Sequence, residues 1–73
     1  MKPIATLNKS WRNGPSLVGY VEGHKLLEDG RTVITSRVQG VVEVDGEKLV
    51  ETYNTLYRLP DRTPEEIEAL AAP

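Results

Sequence analysis

Two alternating apolar segments of this chain, residues 41–44 and 47–50, meet at the dipeptide Asp45-Gly46. Asp-Gly accepts the positive backbone φ angles of a two-residue type I′ turn, whose twist matches that of paired strands. A loop of this length fixes the register, and the predicted pairs are Val44 with Glu47, Glu43 with Lys48, Val42 with Leu49 and Val41 with Val50. Opposite charges and apolar side chains then lie across from one another, which predicts a stable β-hairpin.

Residues 16–22, 31–38 and 49–59 are also rich in β-branched and aromatic residues and predict further strands. Within this pattern Gly40 indicates a bulge or a corner. Pairing continued past Gly40 would place Val38 opposite Tyr53 and Gln39 opposite Thr52. We expect the strand over residues 49–59 to bend near Asn54.

The two ends of the chain differ from this β pattern. Residues 1–15 are predicted to be irregular, because Pro3 and the triplet Asn13-Gly14-Pro15 interrupt them. Residues 63–71 predict a short helix: Thr63 is the N-cap, Pro64 occupies the first helical position, and Glu66 completes a capping box. The chain is therefore expected to be one small β domain over residues 1–73, closed by a C-terminal helix.

Mainly β structure with one short helix allows several architectures. A small antiparallel SH3-like barrel, or a strongly bent sheet of three to five strands, is the leading prediction, and a flat antiparallel sheet with a helix is the second. A domain of 73 residues buries only about 60% of the surface of its unfolded chain, and this one has no cysteine for a disulfide. A homodimer or a complex that completes the core is therefore a further expectation.

Charge divides the sequence into two parts. Residues 1–37 hold six Lys/Arg and three Asp/Glu, a net charge of +3, whereas residues 38–73 hold three Lys/Arg and eight Asp/Glu, a net charge of −5. Such asymmetry can orient a partner, but it is too weak to indicate general nucleic-acid binding. No segment has the length and hydropathy of a membrane span or of a secretory signal, so we expect no membrane association and a cytoplasmic location.

Residues with catalytic potential are few. His24 is the sole histidine; it would act as a general base beside Glu28 or Asp29, or make a local hydrogen bond in its loop, and the second interpretation is favoured. Glu22, Glu28 and Asp29 lack the spacing of a calcium loop. Thr35 and Ser36 lack the surroundings of a nucleophile. The sequence therefore predicts no enzyme, no catalytic or metal site and no cofactor.

Two surfaces are candidates for binding. An acidic protein-binding surface would combine carboxylates of the hairpin region with nearby arginines, because arginine and exposed tyrosine are common at interface hot spots. Its predicted members are Glu43, Asp45, Glu47, Glu51, Arg37 and Arg58. A nucleic-acid surface would combine basic and stacking residues of the first half. Its predicted members are Lys9, Trp11, Arg12, Tyr20, Lys25, Arg31 and Arg37. At least two of the four aromatic residues are expected in the core.

Several short motifs occur together in this chain: Gly23-His24, Asp29-Gly30, Thr35-Ser36-Arg37-Val38, and the segment Thr52-Tyr53-Asn54-Thr55-Leu56-Tyr57-Arg58-Leu59. In this order they resemble short uncharacterised proteins encoded by bacteriophages, prophages and plasmids. Lys25 stands where those proteins usually have proline. The resemblance implies a mobile-element context, in which small cysteine-free proteins often occupy the surface of a host protein, as anti-CRISPR and other anti-defence inhibitors do.

These observations lead to two hypotheses of different kinds. The first is a non-enzymatic protein-interaction module, a phage or mobile-element inhibitor that occludes a surface of a host defence or nucleic-acid-processing complex. The second is an SH3-like module that binds nucleic acid through its basic N-terminal half. A host protein is thus the first expected partner, nucleic acid is the second, and a homodimer remains open.

Overall fold

The computed structural model describes residues 2–73, which form one six-stranded sheet and one helix. The elements in chain order are β1 (Ile4–Asn13), β2 (Ser16–Glu22), β3 (Thr32–Ile34), β4 (Val38–Val44), β5 (Glu47–Thr52), β6 (Leu56–Arg58) and α1 (Pro64–Ala71). The order across the sheet is β3-β2-β1-β6-β5-β4. The prediction of a mainly β chain with a short C-terminal helix is confirmed, with six strands in place of three to five.

The sheet is open but strongly curved. Its two edge strands, β3 and β4, are separated in the chain only by residues 35–37. Four residue steps reach at most about 14 Å, whereas six strands laid flat span about 24 Å. The linking segment is held on both sides, since the Val38 N–H donates to the Pro15 carbonyl and the Tyr53 N–H donates to the Arg37 carbonyl. A flat sheet cannot meet these constraints.

The prediction of an irregular segment over residues 1–15 is wrong, because β1 is the longest strand of the sheet. Gly14 has φ +60°, and a positive φ at the first central position is what a type II′ hairpin turn requires. Gly14-Pro15 therefore joins β1 to β2, with Asn13 opposite Ser16 and Trp11 opposite Val18. The triplet Asn13-Gly14-Pro15 makes a hairpin turn here rather than interrupting a strand.

The hairpin of β4 and β5 has the predicted register at all four pairs from Val44–Glu47 to Val41–Val50. Asp45 and Gly46 have φ +51° and +81°, as a type I′ turn requires. The register shifts between Val38 and Gly40, which confirms the predicted bulge. The shift pairs Val38 with Thr52, so the predicted pairing of Val38 with Tyr53 is wrong: the bulge absorbs one residue.

The predicted strand over residues 49–59 is two strands. Thr52 and Thr55 close the turn between β5 and β6, because the Thr52 N–H and hydroxyl both donate to the Thr55 carbonyl, at 2.9 and 2.8 Å. This reversal places β6 beside β1 in parallel orientation, with Ala5 opposite Tyr57. The sheet is therefore mixed, whereas an antiparallel sheet was expected.

α1 begins as predicted, with Thr63 as N-cap and a complete capping box to Glu66. The helix packs against β4 and β5. Its C-terminal end is bound by β1, because the Arg12 guanidinium donates to the carbonyls of Leu70 and Ala72, at 2.7 and 2.5 Å. These bonds satisfy carbonyls that a helix end leaves without partners and place a positive charge at its negative pole.

The core lies between the inner, concave side of the sheet and the helix. Its buried members are Ala5, Leu7, Leu17, Val21, Val50, Tyr57, Leu59, Ile67 and Ala71. Tyr57 is the one aromatic residue among them, and burial raises its pKa. Within residues 2–73 no helix has both the length and the apolar character needed to cross a membrane.

Candidate interaction surface

The outer face of β1, β2 and β3 carries a row of large apolar side chains. Side chains alternate between the two faces of a strand, and Leu17 and Val21 of β2 belong to the core, so Val18 and Tyr20 lie on the outer face. The register places Trp11 and Ile34 on either side of Val18. We call Trp11, Val18, Tyr20 and Ile34 the aromatic face.

Much of the aromatic face is in contact with solvent. Trp11 is 47% exposed, Tyr20 41% and Ile34 69%, while Val18 is buried between its neighbours at 6%. Isolated exposed apolar residues are ordinary, but a row of them on a rigid strand surface indicates a binding site. The backbone that carries these side chains is held by three hydrogen-bonded strands, so binding a partner would not require the main chain to become ordered.

Sequence reasoning missed Ile34 as part of this surface. Val18 was missed as well, although the two-residue turn Gly14-Pro15 carried a signal for it. That turn sets Trp11 opposite Val18 and so assigns both to one face. The prediction that at least two aromatic residues lie in the core is wrong. Trp11 and Tyr20 lie on the outer face, and Tyr53 is exposed in the turn between β5 and β6.

The outer face of β4, β5 and β6 differs, because its two leucines are buried. Leu49 and Leu56 are buried but do not belong to the main core, as expected for residues on the outer side. The register that pairs Val50 with Tyr57 places Arg58 next to Leu49. Arg58 Nε donates to both carboxylate oxygens of Glu47, at 2.8 and 3.0 Å, and this hydrogen bond raises the pKa of Arg58.

A second ion pair lies on the same side of the sheet. Lys2 Nζ is 2.8 Å from a carboxylate oxygen of Glu51 and also donates to the Thr52 carbonyl at 2.8 Å. Glu51 is paired in the ladder with Leu56. Lysine and arginine stems cover apolar surface while their charged ends stay in water. The apolar residues of this half are therefore shielded, whereas those of the aromatic face are open.

The structure divides the predicted acidic set. Three of its six residues form ion pairs within the chain, namely Glu47, Glu51 and Arg58. Glu43 and Asp45 are exposed near the hairpin tip. Arg37 is exposed in the link between β3 and β4. The six residues thus do not form one free acidic patch.

Helix α1 adds carboxylates near the hairpin that sequence reasoning missed. Lys48 Nζ lies 2.8 Å from a carboxylate oxygen of Glu68, and this hydrogen bond raises the pKa of Lys48. The charges of Glu43 and Glu65 act in the same direction. The capping pattern at Thr63 could have indicated this clustering, since it places glutamates in the first turn of a helix that follows the hairpin.

The basic set is also divided. Arg12 binds the end of α1 and is not available for an outside partner. Four exposed cations have no ion pair and donate no side-chain hydrogen bond within residues 2–73. They are Lys9, Lys25, Arg31 and Arg37. All four belong to the first half of the chain, which also holds Trp11 and Tyr20, and their grouping into one nucleic-acid surface stays a prediction.

His24 makes the predicted local hydrogen bond, its Nδ1 accepting the N–H of Leu26 at 3.0 Å. Asp29 accepts the N–H of Gly23 at 2.9 Å and so serves the turn, while Glu22 accepts a hydrogen bond from the Asn8 side chain. Among the residues that the structure describes, no three His, Asp or Glu side chains are grouped as metal ligands.

A groove of about 270 Å³ lies beside β3. Its lining consists mainly of the loop after β2, β3 itself and the turn before β6. The residues are Pro3, His24, Lys25, Leu26, Leu27, Val33, Ile34, Thr35, Ser36, Asn54, Thr55 and Tyr57. Leu26 is 84% exposed at this groove, and no carboxylate lines it. Ile34 belongs both to the groove and to the aromatic face.

Comparisons of the chain with protein-family models, curated proteins and solved structures find no match.

Proposed function

We propose that this protein is a small non-enzymatic protein-interaction module that binds a partner through its aromatic face and blocks the surface it covers. The observation that carries the proposal is the joint exposure of Trp11, Tyr20 and Ile34 on one rigid face. Tryptophan and tyrosine dominate the binding energy of protein interfaces, because each buries a large area with few rotatable bonds.

The proposed partner is a host defence or nucleic-acid-processing complex, in the manner of an anti-CRISPR protein. Support comes from the resemblance of residues 35–38 and 52–59 to proteins of phages and other mobile elements. In this proposal the exposed carboxylates Glu43 and Asp45 orient the protein toward a basic partner surface, and the protein acts in the cytoplasm. The strong curvature of the sheet supports a description of the fold as an opened SH3-like barrel.

Nucleic-acid binding is the second candidate. It is favoured by Trp11 and Tyr20 on one face, together with unpaired cations such as Lys9 and Arg31 in the same half of the chain. Bases stack on exposed aromatic rings, and phosphates bind cations. Counterion release would then make the affinity for single-stranded DNA fall steeply with salt. Absence of binding to an oligonucleotide at low salt would eliminate this candidate.

The main proposal is tested by capture from a lysate of the host bacterium, with mass spectrometry and three forms of the protein. The unmodified chain is expected to retain a specific complex, and the double variant Trp11→Ala/Tyr20→Ala is expected to lose it. Tyr53→Ala is the matched control, because Tyr53 is equally aromatic and 70% exposed but lies in the turn between β5 and β6.

A further variant separates the two predicted surfaces. Glu43→Gln/Asp45→Asn removes both exposed charges without breaking the ion pairs of Glu47 and Glu51, and asparagine accepts the positive φ of the turn at position 45. Under the proposal it weakens capture but does not abolish it. If capture survives the aromatic variant and disappears with the charge removal, the binding surface is the hairpin tip and the aromatic face is not involved.

A further inference from the structure

Strand β3 presents an unpaired backbone edge to solvent. The Val21 N–H donates to the Arg31 carbonyl, and the Thr35 N–H donates to the Leu17 carbonyl, at 2.9 and 2.8 Å. In an antiparallel ladder hydrogen-bonded residues alternate, so residues 31, 33 and 35 direct their backbone groups toward β2. The N–H and C=O groups of Thr32 and Ile34 point away from β2, and β3 has no other neighbour in the sheet.

This edge is short, at three residues, but its sequence does nothing else to block edge pairing. Thr32-Val33-Ile34 contains no proline, no charge and no bulge. Side chains on both sides of the edge are apolar: Ile34 is exposed on the aromatic face, and Val33 lines the groove with the exposed Leu26. An added strand would therefore find hydrogen bonds along its backbone and apolar contacts for alternate side chains.

We propose that β3 is the docking edge for an extended segment of a partner protein, which joins the sheet as a seventh strand with apolar residues at its centre and acidic residues at its ends. The inference deepens the proposed function and rests on it. The free cations Lys25, Arg31 and Arg37 lie in or next to the segments that form the edge and the groove. Glu28 and Asp29 lie in the same loop as Lys25, but neither lines the groove. Charge complementarity selects acidic flanks.

A second copy of this chain is disfavoured as the occupant. Pairing of β3 with β3 of another copy would bring Arg31 and Arg37 of both copies to one edge, and like charges across paired strands are destabilising. A heterologous acidic segment meets the same cations favourably. Sedimentation of the isolated protein is therefore expected to show a monomer, and a dimer dissociated by blocking β3 would replace the proposal.

The experiment uses two substitutions at one residue. Thr32→Pro removes the outward N–H without removing a bond to β2, and proline is tolerated on edge strands at such positions. Thr32→Ala changes the side chain and keeps the N–H. The probe is the best binder selected from random peptides displayed on phage against the unmodified protein. Thermal unfolding establishes that each variant folds, and amide hydrogen exchange in the unmodified protein reports on the backbone of Thr32 and Ile34.

The expected result is a peptide with alternating apolar residues and acidic ends that slows amide exchange at Thr32 and Ile34. Thr32→Pro should weaken its binding at least about tenfold, and Thr32→Ala should leave it nearly unchanged. Peptide binding that is lost in Trp11→Ala but survives Thr32→Pro, with no protection of the two amides, would overturn the edge-strand proposal and leave the protein-binding function intact. Selection of no peptide, combined with salt-dependent binding of single-stranded DNA, would overturn both.

If Thr32→Pro does not fold, the amide exchange of the unmodified protein decides the question. Protection of Thr32 and Ile34 by the selected peptide supports strand addition. Protection confined to amides outside β3, with contacts only to side chains of the aromatic face, contradicts it.

Discussion

The two halves of the outer sheet face both carry apolar side chains, but they differ in how far those side chains are exposed. On β4, β5 and β6, Leu49 and Leu56 are buried beside the ion pairs Arg58–Glu47 and Lys2–Glu51. On β1, β2 and β3, no ion pair within residues 2–73 covers the aromatic face, and the exposed cations Lys9 and Arg31 of this half form no ion pair. The first arrangement stabilises a fold. The second leaves apolar area and charge available to a partner.

On the inner face the contrast is confined to the edge strand β3, because Leu7 of β1 and Leu17 and Val21 of β2 belong to the core. Helix α1 packs on β4 and β5, so that half of the sheet is covered on both sides. The inner side of β3 instead lies at the groove, where Val33 and Leu27 line the wall. The fold therefore leaves exposed the outer face of one half and the edge strand beside it.

The largest effect is expected for truncation of Leu49, which is 1% exposed although it lies on the outer face. Leu49→Ala should lower the free energy of unfolding by about 2–5 kcal/mol, because it removes buried methyl groups and leaves a cavity. The matched variant on the open half, Ile34→Ala, should change it by about 0.5 kcal/mol or less. Urea unfolding measures both. Equal losses for the two variants would abolish the distinction between a covered and an open half.

Gly19 is expected to show the next largest effect, since a Cβ there would lie 2.7 Å from Leu7 Cγ and 2.9 Å from the Asn8 carbonyl oxygen. Gly19→Ala should destabilise the protein by about 1–3 kcal/mol through overpacking. The strain falls beneath the aromatic face, so partner capture should weaken in parallel with folding. A variant as stable as the unmodified protein would show that β1 and β2 move apart more easily than the contact distances imply.

Local patterns in the sequence predicted those elements whose signal lies within a few residues. Asp45-Gly46 set the register of a hairpin, and Thr63-Pro64 with Glu66 set the start of a helix, because turn and cap geometry depend on adjacent residues. The parallel pairing of β1 with β6 joins residues about fifty positions apart. No periodicity within either strand encodes that contact. Gly14-Pro15 did carry a local signal, which was outweighed by the general association of proline with irregular structure.

The sequence indicated which kinds of residue form the candidate surfaces, but not which individual residues belong to each surface. The sequence placed Trp11 and Tyr20 in one predicted nucleic-acid surface, although it assigned Trp11 to an irregular segment; the structure places both on the outer face of the sheet. The sequence could not show which charged side chains are bound within the chain and which are free. Arg12 and Arg58 have the same chemistry as Arg31, yet each is held by a partner distant in the chain. Those partners are set by the tertiary fold.

A smaller effect is expected for the ion pair that covers Leu49. Both side chains are nearly half exposed, so the pair Arg58–Glu47 should contribute only about 0.2–1 kcal/mol in a double-mutant cycle of Arg58→Met, Glu47→Gln and the combination. Methionine keeps much of the apolar stem over Leu49. The coupling should shrink as salt screens it. A coupling of zero would mean that the arginine acts through packing alone.

The smallest effect concerns the helix that covers the inner side of the same half. The Thr63 N–H donates to the Glu66 carboxylate at 2.9 Å, and this bond holds the pKa of Glu66 below its ordinary value of 4.5. A lowered pKa in the folded state means that the contribution is present above the unfolded value and is lost as the pH falls through the folded one. Glu66→Gln keeps a hydrogen-bonding side chain but cannot titrate. Unfolding measured from about pH 6 to pH 3 should therefore show a shallower loss of stability for this variant than for the unmodified protein. Identical slopes would mean that the cap does not distinguish the charged carboxylate from a neutral amide, and that acid weakens the covered half through its ion pairs instead.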